Sequence, residues 1–558
     1  MINSPSRRSL ALPQRVLDPS IPFPSELSSR IACLAALFVL ELIVISVRFD
    51  TQALDGRGGL IGAVGDFGHY ILQSLVVLTT VFLAFGYSNA KDALPTICDR
   101  FVGTPLVWSF FAAHSAAMIV FAFFSAVLFG GARGVPENLI VLVWLATGVL
   151  GIATALFFFI PPRAVRELLN KAGSAWIYAA SAAALTPVFV VASKRLWEPT
   201  AALTFEIVKS LLNPFLTGFV ADPATKTIGS QRFTVEIAPA CSGLEGMGLM
   251  LIFGVLWLWF FRSDYKFPRA LLLIPFGVSL MFVLNALRIA ALILIGHAGA
   301  PAVATGGFHS QAGWIAFNGV ALSLACVAHK VPWLSSIRTP VVRPEPWVEN
   351  PTAAYLVPVL AILAAAMVSR ASSGSFEWIY ALRFLAAAGA LLFFRKQYVS
   401  VNWKFGWAAP MIGGLVFILW LLLDRIAGTQ SGGGMPAELA AGPAAARVTW
   451  LVIRVLAAVV TVPIAEELAF RGFLLRRLIS ADFELVSLQR WTFLAVVLSS
   501  VAFGLLHGDR WIAGSIAGIL YAGAQKWRGR IGDAVVAHGV TNALIAFSVL
   551  WGGKWSLW

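Results

Sequence analysis

Along most of this chain, polar residues punctuate long apolar runs instead of alternating with them. Runs of this kind fall near residues 31–47, 70–87, 105–130, 138–161, 175–193, 245–261, 270–296 and 312–328. Others follow near 353–369, 376–394, 406–423, 447–463, 491–507, 511–524 and 531–551. Most have the roughly 17 to 25 residues that a helix needs to cross about 30 Å of hydrocarbon. The pattern predicts an all-α polytopic membrane protein with about fourteen or fifteen transmembrane helices in two membrane domains.

The breaks in the pattern predict the organisation. Residues 197–216 read as an amphipathic segment suited to the membrane surface. Residues 229–237 partly alternate polar and apolar, as a short strand would. Together they make a small extracytoplasmic segment before Cys241. Residues 331–352 carry Pro332, Pro340, Pro344, Pro346 and Pro351 and read as a linker. The expected division is a tail at 1–30, a membrane domain at 31–330, the linker, connecting helices at 353–404 and a second membrane domain at 405–558. Residues 427–446, rich in Gly and Ala, form a further loop, and no internal repeat joins the halves.

Composition narrows the classes. The chain has 558 residues, 59% hydrophobic and 12% charged, with a net charge of +14. Lys and Arg gather in short loops between apolar runs, so the charge reads as topology rather than nucleic-acid binding. The polar, basic N-terminus is then cytoplasmic, the run at 31–47 an uncleaved anchor, and Cys241 extracytoplasmic. Lys194 and Arg195 count mildly against that placement. Twenty Trp residues suit contact with membrane lipids at the interfaces. Cys33, Cys98, Cys241 and Cys326 show neither a CxxC pair nor metal-type spacing; all but Cys241 read as packing residues.

Two clusters carry candidate chemistry. In the first, the predicted topology puts Cys241, Arg288 and His309 at one membrane face. A thiol becomes a useful nucleophile beside a base or cation, and acyl transfer needs positive charge or N–H donors facing the oxyanion. A guanidinium inside an apolar helix usually faces a cavity or a partner. His297 is a rival for the base.

In the second, Glu466 and Glu467 interrupt an apolar segment after Pro463. Glu467 and Arg471, four apart, can pair on a helix, and His538 shares a helical face with Asn542. With His507, these groups would let a carboxylate activate water, either directly or through a divalent metal. A transporter or lipid-handling protein with two polar clusters is the competing class; it predicts a continuous polar conduit and repeated halves.

The motifs around these residues are familiar. Ala240-Cys241-Ser242-Gly243-Leu244, Leu284-Asn285-Ala286-Leu287-Arg288-Ile289 and His309-Ser310-Gln311-Ala312-Gly313-Trp314 resemble the exosortase/archaeosortase family. Its members are transpeptidases acting on exported proteins that end in a short motif, a transmembrane segment and a basic tail. The resemblance implies Cys241 as nucleophile, Arg288 as stabiliser and His309 as base, without a cofactor. Glu466-Glu467-Leu468-Ala469-Phe470-Arg471-Gly472, Phe503-Gly504-Leu505-Leu506-His507-Gly508 and His538-Gly539-Val540-Thr541-Asn542 resemble the CPBP intramembrane proteases, which include CAAX-processing enzymes. That likeness implies Glu466 as base and His507 and His538 as charge stabilisers. Asn542 would be an oxyanion donor and Arg471 would orient Glu467, with the metal question left open. The fusion resembles the exosortase E/protease subtype of VPEID-CTERM systems, which implies a bacterial inner-membrane enzyme with Cys241 facing the periplasm.

Overall fold

The computed structural model describes residues 106–558 apart from 131–135, 160–161, 239–240, 337–346 and 427–433, together with isolated earlier positions such as Glu41 and Ile61. The expected spans at 31–47 and 70–87 lie largely outside the described residues, as does much of the linker. The chain divides into two compact units, one running to Leu196 and the other comprising Trp197–Trp558.

In the first unit, helices α1 (Leu106–Gly130) and α2 (Glu137–Phe159) pack side by side. His114 is buried on α1, where its Nδ1 lies 2.9 Å from Gly151 O and its Nε2 3.2 Å from Glu41. The amphipathic α3 (Pro162–Ala172) follows. The next helix, α4, runs unbroken from Ala175 to Leu212.

The segment expected to be amphipathic, 197–216, begins within this helix. In the second unit, Ala201, Phe205, Val208 and Leu212 repeat every three or four residues and form one buried stripe. The stripe packs on Ile228, Ile237, Ile289 and Ile293. Its apolar face is covered by protein instead of lying on lipid.

A three-stranded antiparallel sheet follows, β1 (Phe219–Asp222), β2 (Thr227–Ser230) and β3 (Phe233–Glu236), in the order β1-β2-β3. The chain is therefore mostly helical and not all-α; one strand was expected here, and a meander of three is found. The sheet seats on the C-terminal end of α6 (Leu273–His297), where Gly296 leaves room for the Phe233 ring. Helices α5 (Leu244–Phe260), α6 and α7 (His309–Lys330) form a packed trio.

Then come α8 (Pro351–Ala371), α9 (Ala381–Phe393) and α10 (Ala408–Ile426). The long α11 (Ala444–Arg477) contains two π-helical stretches, Ala457–Thr461 and Leu468–Leu474. Helices α12 (Phe493–Leu505), α13 (Trp511–Arg528) and α14 (Ile531–Leu550) complete the chain. Ala465, Ala469, Phe470, Phe503 and Tyr521 build the core here, joined by Val359 and Ile362 of α8.

Among the described residues, eight helices are long and apolar enough to cross a membrane. This is a polytopic membrane protein, and its described residues hold fewer such helices than the fourteen or fifteen expected of the whole chain. Three further apolar helices, at 244–260, 378–393 and 493–505, have only 10–17 residues. At 1.5 Å per residue even the longest covers about 26 Å, short of the roughly 30 Å hydrocarbon core. Helix α13 is long enough, but its Gly, Ser, Gln and Lys residues keep it out of the apolar set.

Candidate functional site

Cys241 sits in the turn that leads into α5, and Gly243 makes that turn possible. Its φ is +90°, in the left-handed region, and a Cβ there would come within 2.9 Å of Asn285 Nδ2. The turn is held by Asn285 Nδ2 on α6, which donates to Cys241 O at 2.8 Å, while Thr204 Oγ1 on α4, bonded to Thr200 O at 2.9 Å, lies 3.4 Å from Ser242 O.

One helical turn beyond Asn285, Arg288 Nη1 donates to Asn285 Oδ1 at 3.1 Å, and its Nη2 lies 3.4 Å from His309 Nδ1. A guanidinium can only donate, so Nδ1 accepts and the imidazole is neutral with its proton on Nε2. Three hydrogen bonds thus run from the backbone of Cys241 through Asn285 and Arg288 to His309. Among the described residues no hydrogen bond joins the thiol itself to His309. Arg288 Nε is buried with no partner.

Beside this chain lies a cavity of about 320 Å³ between α5, α6 and α7, lined among others by Glu245, Arg288, His309, Trp314 and Phe317. Burial pushes the Cys241 thiol above its usual range, while Arg288 pulls it down. His297 is turned elsewhere, with its Nδ1 2.9 Å from Ser230 Oγ on β2. Of the two histidines weighed for the base, His309 is the one beside Arg288.

His309 is placed by an unusual segment. The π-turn Ala304–Phe308 departs from helical geometry at Gly306 (φ −89°, ψ −106°). Gly307 N donates to Ser373 O at 3.3 Å, in the turn after α8, and a Cβ on Gly307 would overlap Arg370 O. Residues beyond the first motif set therefore form part of the seat for His309.

The second cluster is assembled where α11, α12, α13 and α14 meet. Pro463 and the flanking π-stretches loosen the helical ladder around Glu466 and Glu467 without ending the helix. Glu467 is wholly buried and Arg471 is 1% exposed. Glu467 Oε1 accepts from Arg471 Nη1 at 3.1 Å and lies 2.9 Å from His538 Nδ1.

A carboxylate only accepts, so the His538 proton sits on Nδ1, and Nε2 is left facing Glu466 Oε2 at 3.9 Å. Arg471 Nη2 is anchored on Gly518 O at 2.9 Å, and Tyr521 stacks on His538 with ring centroids 4.9 Å apart. His507 Nδ1 lies 2.9 Å from Phe503 O, which can only accept, so the proton sits on Nδ1 and Nε2 is left free. Glu466 Oε2 is buried without a hydrogen-bond partner.

Asn542 Nδ2 donates one of its two hydrogens to Ala458 O at 2.7 Å, inside a π-stretch of α11. Among the described residues no group of three or more His, Cys, Asp and Glu side chains is placed to hold a metal ion.

Some partners were not singled out from sequence. Asn285 was one letter of a motif, although its position three residues before Arg288 puts both on one helical face. Tyr521 gave no signal. Nor did the clamp beside His507, in which Arg510 Nε reaches Asp424 Oδ1 and Nη2 reaches Ser556 O, both at 2.8 Å.

Comparison with known families finds the same two regions. Residues 59–326 match the transmembrane exosortase (Exosortase_EpsH) model. Residues 448–544 match the type II CAAX prenyl endopeptidase Rce1-like model. No curated protein and no solved structure matches the chain. The chain thus joins an exosortase-like region to a CAAX-protease-like region, and both matches imply peptidase activity.

Proposed function

We propose that this chain is a two-site membrane peptidase of the exosortase E/protease kind. Its first site cuts the C-terminal sorting signal of exported proteins and transfers them to an acceptor. In that site His309 takes the thiol proton on Nδ1, its unprotonated nitrogen, as Arg288 Nη2 gives up its contact there and the Cys241 sulfur attacks the scissile carbonyl. The carbonyl oxygen becomes an oxyanion facing Arg288, whose buried Nε–H has no other partner. The C–N bond then breaks, the amine leaves with the proton from His309, and a Cys241 thioester remains. Attack by an acceptor nucleophile, which gives up its proton to His309, releases the thiol.

The observation that carries this reading is the hydrogen-bonded chain Cys241–Asn285–Arg288–His309 beside a cavity, within the exosortase-like region. The working orientation puts this site at the periplasmic face of a bacterial inner membrane, with the N-terminus cytoplasmic.

The second site is a glutamate-dependent intramembrane peptidase. Glu466 draws a proton from water as the water oxygen attacks a peptide carbonyl. The C–N bond then breaks and the amine leaves with the proton from Glu466, while His538 and His507, each held through Nδ1–H, keep their Nε2 atoms beside the reacting groups. Support comes from the burial of Glu467 and of Glu466 Oε2 in an apolar helix and from the orientation of His538 by Glu467.

The test is to co-express the full chain with a reporter ending in a motif, an apolar span and a basic tail. Wild type should shorten the reporter, and Cys241→Ala should abolish that cleavage. Cleavage persisting in Cys241→Ala would overturn the first assignment. Glu466→Ala should remove only the second activity, and proteolysis retained in that variant would overturn the second.

A further inference from the structure

We propose that Asn285 is a positioning residue of the Cys241 site, tying the nucleophile's backbone to the guanidinium through its two-sided amide. The proposal builds on the reading of Cys241 as nucleophile only where substrate processing is measured. The geometry itself concerns the thiol and its cation.

Chemistry fixes which way the amide points. Arg288 Nη1 can only donate, so the atom 3.1 Å from it must be the carbonyl oxygen; Cys241 O can only accept, so the atom 2.8 Å from it must be the nitrogen. Among side chains of this length only an amide offers a donor and an acceptor together. Aspartate keeps the acceptor and loses the donor, and leucine loses both. Asn285 is also 8% exposed within an apolar helix, where a polar group is costly unless both ends are satisfied.

The surroundings are shaped around that amide. Gly243 lacks the Cβ that would press on Asn285 Nδ2. With the Cys241 carbonyl held by Asn285 and the Cys241 N–H by Ala238 O, both at 2.8 Å, the turn is tied on both sides of the thiol. The charged and titratable groups facing the site are Arg288 on α6, Glu245 on α5 and His309 on α7. Of these, Arg288 is the one that favours the thiolate.

The test measures thiol chemistry first. In the full chain with Cys33, Cys98 and Cys326 replaced by Ser, the rate of Cys241 alkylation by iodoacetamide is followed against pH in detergent. Asn285→Asp should move the midpoint upward by about one unit, a roughly tenfold slower reaction at neutral pH. The new carboxylate neutralises Arg288 and repels the thiolate. Asn285→Gln, which keeps the amide, should lie nearer wild type, and Asn318→Asp, on an exposed face of α7, should leave the midpoint in place.

In the reporter assay Asn285→Asp should lower kcat at least about tenfold with KM little changed. A helix-packing role alone would lower yield or thermal stability without moving the midpoint. Folded Asn285→Asp and Asn285→Gln proteins that both alkylate like wild type would overturn the proposal. If Cys241→Ala still processed the reporter while Asn285→Asp moved the midpoint, the nucleophile assignment would fall and the positioning role would stand.

Discussion

At the scale of single residues, the Cys241 thiol is held between two opposing forces. Burial favours the neutral thiol, and Arg288 favours the thiolate. Burial is the larger, so the thiol lies above the ordinary thiol range of about 8.5 and is protonated at neutral pH. The sign follows: thiolate, and any rate that depends on it, grows as pH rises through the raised value. Arg288→Gln removes the opposing force and should push the alkylation midpoint further alkaline, which the same pH titration checks; a midpoint that moved down would contradict the assignment. A resting thiol also needs a base at the moment of attack, and neutral His309 fits that need better than a preformed ion pair would.

The buried pair Glu467–Arg471 makes a second residue-scale prediction. Arg471→Leu would leave the carboxylate with only His538 on its other side. Breaking such a pair from one side costs about 3–5 kcal/mol. The variant should unfold at lower temperature in detergent and lose the second activity, and unchanged thermal unfolding would count against an ionised pair. Arg288 and Glu466 stand out in the sequence as charges within apolar runs, whereas Cys241, His309 and the two histidines are legible only through the motifs around them. Their partners are legible in neither way. Asn285 and Tyr521 matter through which atoms they meet across helices, and a single sequence records no crossing.

At the scale of elements, apolar runs marked nearly every helix in the described chain, since a span must bury its backbone polar groups internally. Lengths and junctions were harder to read. Helix α4 joins an apolar span to an amphipathic one through Lys194 and Arg195, a basic pair that reads in sequence as a boundary. The π-stretches of α11 have no hydropathy signature at all.

The turn Ala304–Phe308 was likewise legible only as Gly-rich. Its role comes from the close approach of Gly307 to the Arg370 and Ser373 carbonyls. Gly307→Ala should therefore displace His309 and slow reporter cleavage severalfold or more, whereas Gly319→Ala, which meets open space, should not. Equal rates in the two variants would show that the seat does not position the imidazole.

At the scale of the whole molecule, the question is whether two chemistries on one chain depend on each other. Both clusters lie in the unit Trp197–Trp558, yet they are built from different helices: α5, α6 and α7 for one, α11 to α14 for the other. Helix α8, outside both matched regions, is the element that touches both. Its Val359 and Ile362 enter the core beside Ala465 and Ala469, while the turn after its C-terminus seats Gly307.

Packing of this kind couples stability without requiring that one reaction await the other, since coupling demands an element with two arrangements that both sites bias. The expected outcome is separable activities. Cys241→Ala should abolish reporter shortening and leave the second proteolysis at the wild-type rate, and Glu466→Ala should do the reverse. Ile362→Asp, which places an unpaired charge in the shared core, should impair both. The decisive measurement follows both cleavages in one preparation of each variant. Loss of both in Cys241→Ala would mean that the second site acts only on what the first releases, and separability would then be wrong.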